Sequence, residues 1–487
     1  MMSKRLSLSI KIYIGLVLLI ILVLKHTAAG LLEDSVYKYF QTIDFIESGY
    51  NGFHIFNHDY ELDPKNDYGV FQPPFAHLIH GKVFMTFPWF WVLLNAPILQ
   101  ILGFIGIYLI PFASGILSVY VLYDLLCKLS DDEKLIEKTI YFYLFSTSLI
   151  VYSFSYYEGT ICNLALFAFL NVQFKSNDSS SMRKKIYYLF ISLVLLSMLV
   201  ILRTEVFFLA ILMGISISFV NISSFQKNFL NLFFLGLIPS LLFLFTNELI
   251  WSQPQGLRFL VTHTFTLSDR LIRILEYLVF SKHSLLLYIP TFFLTFILFK
   301  HFKALYSKPF FRFYLTSIIF IVAIPLVSPQ QQGNDIIPRF YFPIIPFLAF
   351  TILYTIQYKF PSLEKLLTRL LFLQASILLI ITVIVFVFMN YRMDRLYKKL
   401  TPYIKEYNVV STVIYGMLVQ NAERKNVYVA TEEESAKKMT MLLKDKSISD
   451  YYLLLWALDE NRFSKSYLDT EWKFVEKIED ITVYKKK

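Results

Sequence analysis

The chain has 487 residues, 56% of them hydrophobic and only 17% charged. That balance excludes an ordinary soluble domain, in which roughly a quarter of residues carry charge. The net charge of +10 is concentrated in short basic loops between apolar runs, which is a mark of membrane topology and points away from nucleic acid as a partner.

The apolar blocks are of a length that crosses ~30 Å of hydrocarbon. They predict a polytopic α-helical membrane protein with about eleven transmembrane helices, at 9–26, 104–126, 136–154, 159–174, 186–202, 205–222, 229–249, 284–302, 312–328, 339–358 and 370–391. The first run, Ile10 to Leu24, follows Lys4, Arg5 and Lys11. Thr27-Ala28-Ala29 has the form of a signal-peptidase site, but cleavage there would leave Glu33 almost at a free terminus, so a retained span with a cytoplasmic N-terminus is expected. The connections then assigned to the cytoplasm are Lys128 to Lys138, Lys175 to Lys185, the stretch around Lys227, Lys300 to Arg312, and Lys359 to Arg369. All are short and basic, as that orientation requires.

On the opposite face, the loop 28–103 is long and rich in aromatic and acidic residues. Two helices lying in the interface plane are expected in it, Asp34 to Glu47 and Pro74 to Phe87. A second loop, 250–283, carries Arg258, His263, Arg270 and Arg273, and its 269–276 segment reads as a solvated amphipathic helix. The chain is thus expected to divide into a membrane domain, 1–391, and a small extracytoplasmic α/β domain, 392–487. In the latter, Asn426 to Ala430, Tyr451 to Trp456 and Trp472 to Tyr484 read as strands, and Thr431 with Glu434 as a capping box opening a helix. Cys127 and Cys162 fall in or beside spans and suggest small buried hydrophobes. The sequons at Asn177 and Asn221 fall on predicted cytoplasmic loops, which favours a bacterial inner membrane over the endoplasmic reticulum.

Four groups of residues on that opposite face could carry chemistry. Glu33 and Asp34 follow the first span, with Asp34, Tyr37 and Lys38 on one side of the predicted helix. A carboxylate there could deprotonate an acceptor and a cation could meet a phosphate, although acids at a helix start also cap it. His77, His80 and Lys82 follow Gln72-Pro73-Pro74; a histidine or Lys82 could face a phosphate, whereas a zinc site lacks a third ligand. Tyr156-Tyr157-Glu158, and Arg203 with Glu205, occupy short turns between spans. Arg339 enters a later span with a fork suited to a phosphate, or to snorkelling toward headgroups.

Taken together these motifs resemble the GT-C superfamily of integral-membrane glycosyltransferases, which includes protein O-mannosyltransferases and the lipid A aminoarabinose transferase. The resemblance rests on Glu33-Asp34-Ser35 with Tyr37, Gln72-Pro73-Pro74, Tyr157-Glu158-Gly159-Thr160, Arg203-Thr204-Glu205, and Pro338-Arg339-Phe340 with Pro343 and Pro346. It implies transfer of a sugar, with inversion, from a polyprenyl-phosphate donor to an extracytoplasmic acceptor (lipid, glycan or protein). The family's catalytic acid maps onto the acidic pair; an aspartate comes first in many members, here Glu33 does, and Asp34 is the expected base. The implied substrate-binding set is Lys38, Lys82, Glu158, Arg203, Arg339, Tyr37 and His77. Members differ in metal dependence, so a divalent cation stays open. The rival readings are a lipid-linked oligosaccharide ligase or polymerase, and a transporter or flippase. A transporter would place its ionisable residues at mid-membrane in repeated halves, and no halves repeat here.

Overall fold

The computed structural model of the chain describes residues 3–31, 34–55, 61–71, 73, 75–218, 225–257, 260, 266–280, 284–306, 308–327, 339–412 and 427–487. It divides into two compact units, one of Met1–Val23, Gly106–Leu249 and Thr262–Val385, the other of Leu24–Ile105, Ile250–Val261 and Phe386–Lys487.

Among the described residues, six stretches are long and apolar enough to cross a bilayer: Lys4–Val23, Trp89–Leu129, Met182–Leu202, Phe233–Trp251, Pro309–Val327 and Pro361–Lys405. Thr204–Ile217 is a shorter apolar helix. The other segments expected to span are also helical, but shorter, interrupted or more polar. Glu133–Phe145 stops after 13 residues and resumes only at Leu149–Ser153. The hydroxyl of Thr147 donates to the Tyr143 carbonyl (2.7 Å) and accepts from the Leu149 amide (3.2 Å), a local alternative to the helical ladder. Leu285–Tyr288 gives way to a 3₁₀ helix, Pro290–His301. Gly159–Asp178 is long enough but carries Asn163, Asn171 and Gln173.

Several polar groups inside the first unit are paired with one another, which lowers the cost of placing them where no water competes. Ser114 meets Thr160 (2.8 Å), Asn171 donates to the Val121 carbonyl (2.8 Å), and Tyr143 meets Ser118 (3.1 Å) and Asn163 (3.2 Å).

The second unit begins with a tether. Asn390, on the long helix Glu364–Glu406, accepts from the Lys25 amide (2.8 Å) and donates to the Gly30 carbonyl (2.8 Å). One turn further along, Asp394 accepts from the Thr27 hydroxyl (2.9 Å). The helix Asp34–Glu47 follows, with the bounds expected from its apolar spacing. Phe45 packs with Val92 and Ala96 of the helix Trp89–Leu102.

The second expected surface helix is not one. Residues 76–85 form a hairpin, β1 (Ala76–Ile79) and β2 (Lys82–Met85), with Ala76 opposite Met85 and Ile79 opposite Lys82. Its turn places His80 and Gly81 at φ 48° and 74°, left-handed values that no α-helix accommodates and that the primed hairpin turns require. Ala76, Val83 and Met85 are fully buried on one side of the ribbon, the period-2 burial of a strand.

The C-terminal part contains a five-stranded sheet in the order β4-β3-β5-β7-β6, made of β3 (Asn408–Ser411), β4 (Val427–Val429), β5 (Tyr451–Trp456), β6 (Trp472–Ile478) and β7 (Ile481–Lys486). β3 runs parallel to β4 and β5; β7 runs antiparallel to β5 and β6. The helix between β4 and β5 is Glu433–Asp445, and its capping box joins Glu432 to Ser435, one residue later than the expected Thr431–Glu434 pair. Met439, Leu443, Leu453, Tyr467 and Trp472 build the core of the sheet, and Leu62, from the segment between the helices Asp34–Glu47 and Trp89–Leu102, is buried among them. The Val429 amide donates to the Tyr68 carbonyl (2.7 Å), so loop and sheet form one packed body. Arg395 and Lys399 meet Glu479 at the β6–β7 turn (3.1 and 3.7 Å).

Candidate functional site

Asp34 is the first residue of its helix and half-buried. Tyr37, Lys38 and Gln41 follow at spacings of three, four and seven, so they share its side of the helix. All three are buried, and Lys38 is fully so. Burying an ammonium is costly unless its charge is matched. Here the Lys38 ammonium lies 5.4 Å from the centre of the Phe87 ring, a cation–π contact. Tyr37 stacks on Phe75 (4.4 Å, 11°) and Phe87 (5.9 Å, 17°), with the edge of Phe71 against it (5.8 Å). Gln41 donates to the Phe87 carbonyl (3.4 Å). The segments on either side of the hairpin, Phe71 and Phe75 before it and Phe87 after it, thus supply an aromatic wall to the helix face that carries Asp34, Tyr37 and Lys38. Glu33 lies outside the described residues.

His77 and Lys82 belong to the hairpin of the same unit, on one face of it, since His77 pairs with Phe84 and Lys82 with Ile79. The close helical grouping of His77, His80 and Lys82 expected from the sequence is replaced by this ribbon, with His80 exposed at its turn. Burial lowers the pKa of His77, and its Nε2 is buried without a hydrogen-bond partner among the described residues. His54, which sequence reasoning did not single out, bridges to Phe84 beside it. Its pKa is lowered by burial and by the Lys82 ammonium, while the buried Asp44 pulls it upward. The turn-forming Gly49-Tyr50-Asn51-Gly52 run ahead of it was the available signal that the chain returns toward the helix at this point.

In the first unit, three of the singled-out motifs meet. Arg203, in the break between Met182–Leu202 and Thr204–Ser218, is only 6% exposed. Its Nε donates to Glu205 at 2.6 Å, and its fork also reaches the Tyr157 hydroxyl. The guanidinium lies 5.4 Å from the Tyr157 ring centre and 5.5 Å from that of Phe340. Glu158, 1% exposed, precedes the helix Gly159–Asp178 and acts on Arg203 electrostatically. A side chain on Gly159 would press on Tyr152 and Tyr157 at 3.2 Å, so glycine lets these rings approach the helix start closely. Phe342 packs on Tyr152 (5.0 Å) and Tyr143 (6.1 Å). Arg339 opens the 3₁₀ turn Arg339–Tyr341; its side chain lies outside the described residues.

The predicted site residues therefore divide between the units: Asp34, Tyr37, Lys38, His77 and Lys82 in one, Glu158, Arg203 and Arg339 in the other. Among the described residues no group of three or more His, Cys, Asp or Glu side chains is placed to hold a metal ion.

No family model and no curated protein matches the sequence. Solved structures do match it. The apo form of ArnT from Cupriavidus metallidurans aligns with a TM-score of 0.57 at 9% identity over 97% of both chains. The same protein bound to undecaprenyl phosphate aligns at 0.54 and 10% identity, again over 97% of both. The archaeal oligosaccharyltransferase AglB from Archaeoglobus fulgidus, in complex with an inhibitory peptide and a dolichol-phosphate, aligns at 0.58 and 12% identity, covering 93% of this chain and 70% of that one. These proteins are members of the GT-C superfamily. The chain is an integral membrane protein, and its fold is the GT-C fold.

Proposed function

We propose that the protein is a GT-C glycosyltransferase that moves a sugar from a polyprenyl-phosphate donor to an extracytoplasmic acceptor, inverting the anomeric centre. The observation that carries this reading is the placement of Asp34. It opens a helix just beyond the first apolar helix, with Tyr37 and the buried cation Lys38 on its side. The fold adds support, since the similar solved structures hold undecaprenyl phosphate in one case and a dolichol-phosphate in another.

In this mechanism the acceptor hydroxyl attacks the anomeric carbon as the bond from that carbon to the phosphate oxygen breaks. The hydroxyl proton passes to the Asp34 carboxylate, and the electron pair leaves with the polyprenyl phosphate. Lys38, Lys82 and Arg339 are the cations assigned to the developing phosphate charge, which preorganised positive groups stabilise. Tyr37, His77, Glu158 and Arg203 bind and orient donor and acceptor. Glu33 is the alternative base. The N-terminus lies in the cytoplasm and the sheet domain, 392–487, outside it, in a bacterial inner membrane.

The test is a mass-spectrometric comparison of cell-envelope glycans with and without the protein, followed by complementation. Wild-type protein is expected to restore the missing glycan. Asp34→Asn, expressed to the same level in the membrane, is expected not to. Full restoration by Asp34→Asn overturns Asp34 as the base, and an envelope unchanged by loss of the protein overturns the transferase reading itself.

A further inference from the structure

The helix Leu267–Leu275 has none of its residues buried, and its exposed face is apolar. Leu267, Leu271, Ile272 and Leu275 are 68%, 51%, 54% and 53% exposed, and Val279 in the following turn continues the row. Counted from Leu267, these positions fall at spacings of four, five, eight and twelve, one broad stripe of a helix. The opposite side is polar and fastened. Thr266 and Asp269 form a capping box, Arg270 donates to the Leu326 carbonyl, and Arg273 pairs with Glu276. Tyr277 sets its ring edge-on to buried Tyr341 (6.2 Å, 90°).

These contacts fix both the roll and the depth of the helix. Arg270 and Tyr277 hold the polar side inward, so the leucine stripe cannot turn into the protein. Leu326 belongs to the last turn of Pro309–Val327, one of the stretches able to cross a bilayer. A helix tied to that turn lies at the end of a span, the depth of headgroups and first acyl carbons. The span's own Ile319, Val322 and Val327 are exposed, a surface that only lipid suits. A strongly amphipathic helix at that depth, apolar on its open side and arginine-bearing on the other, is the form that lies in the interface plane.

We infer that Thr266–Val279 is an interfacial helix whose occupant is the bilayer, its leucine stripe resting in the boundary between headgroups and acyl chains. This inference does not depend on the transferase reading. It also replaces the solvated helix expected for 269–276: the exposed face that pattern reading assigned to water is the apolar one.

The test is a spin-label scan of the full chain in phosphatidylcholine–phosphatidylglycerol vesicles. Single cysteines replace residues 267 to 275 in a Cys127→Ser background, with Cys162 left in place because it is fully buried. Expected are maxima of collision with oxygen, and minima with a water-soluble nickel complex, at 267, 271, 272 and 275. Nickel maxima at those four positions would show a solvated helix and overturn the inference. Low collision with both relaxers there would show a protein cover, such as a second copy, and overturn it equally. Because the four positions are exposed, labels on them do not disturb the core, and the period across the scan does not rest on any one variant.

Discussion

Asn390 satisfies two backbone groups five residues apart, the Lys25 amide and the Gly30 carbonyl, and so fixes the segment that delivers the chain to Asp34. The approach is so close that a Cβ on Gly30 would lie 2.4 Å from the Asn390 amide nitrogen and 3.1 Å from the Lys25 carbonyl. Glycine is needed at 30 for space.

Gly30→Ala is therefore expected to destabilise the protein by about 1–3 kcal/mol, the usual range for overpacking a tight site. Asn390→Ala is expected to cost a similar amount, ~1–3 kcal/mol, by leaving two backbone groups without their partner. Combining Gly30→Ala with Asn390→Ala should cost less than the sum of the single changes, because the truncated side chain makes room for the methyl group. Thermal unfolding of the four proteins in detergent micelles measures this, and strict additivity would show that the two residues do not act on each other.

Buried Arg203 forms an ion pair with half-buried Glu205, their side chains 5% and 18% exposed. Arg203→Met takes the guanidinium away from the Glu205 carboxylate and should cost up to about 3 kcal/mol, while Arg203→Met with Glu205→Leu should recover most of it. Arg203→Lys is expected to fail as a conservative change. A point charge cannot keep the fork on Glu205 and Tyr157 while also lying against the Tyr157 and Phe340 rings. Comparing chemical unfolding midpoints of the single and double variants decides the matter.

Lys38 is the second separable test of the proposed chemistry. Its stem and ammonium are fully enclosed, so Lys38→Met, close in volume, should leave the unfolding temperature near that of the wild type. If its charge stabilises the leaving phosphate, the transfer rate should fall by about 10²–10³-fold, as on removing one stabilising donor. A Lys38→Met protein that folds and transfers at the wild-type rate would remove it from that role.

His77 gives a pH dependence with a definite sign. Burial lowers its folded-state pKa below the ordinary value of 6.5, so the unfolded chain binds the proton more readily. The stability held by the neutral imidazole is then fully present above pH 6.5 and is lost as pH falls toward the folded-state pKa. Between those limits the unfolding temperature of the wild type should drop with acidification more steeply than that of His77→Gln. His54 is shifted in the same direction, so the double variant should be flatter still. Melting curves across that interval read the effect, and parallel profiles for wild type and His77→Gln would rule it out.

Much of the architecture was legible in the amino-acid order because the signals were local. Hydropathy accumulates residue by residue, so membrane character and the positions of the apolar helices followed from composition alone. The helix Asp34–Glu47 was marked by Asp34 at its start and apolar residues at helical spacing, and β5 by an unbroken apolar run. The hairpin at 76–85 was misread for an equally local reason. Pro73-Pro74 resembles a helix start, and it was weighed above His80-Gly81, whose left-handed pair is the better guide. The capping box moved by one residue because Glu432 and Ser435 offer the same reciprocal bonds as Thr431 and Glu434, and spacing alone does not choose between them.

What the sequence by itself determined was a polytopic membrane protein with its ionisable residues gathered in the turns between apolar helices, since burial in hydrocarbon is decided segment by segment. Only the tertiary structure decided who partners whom. Arg203 lies between Tyr157 and Phe340, 46 and 137 positions away in the chain, and Leu62 completes the core of a sheet that begins at residue 408. Such contacts are selected by packing and charge complementarity across the fold, and no local periodicity encodes them.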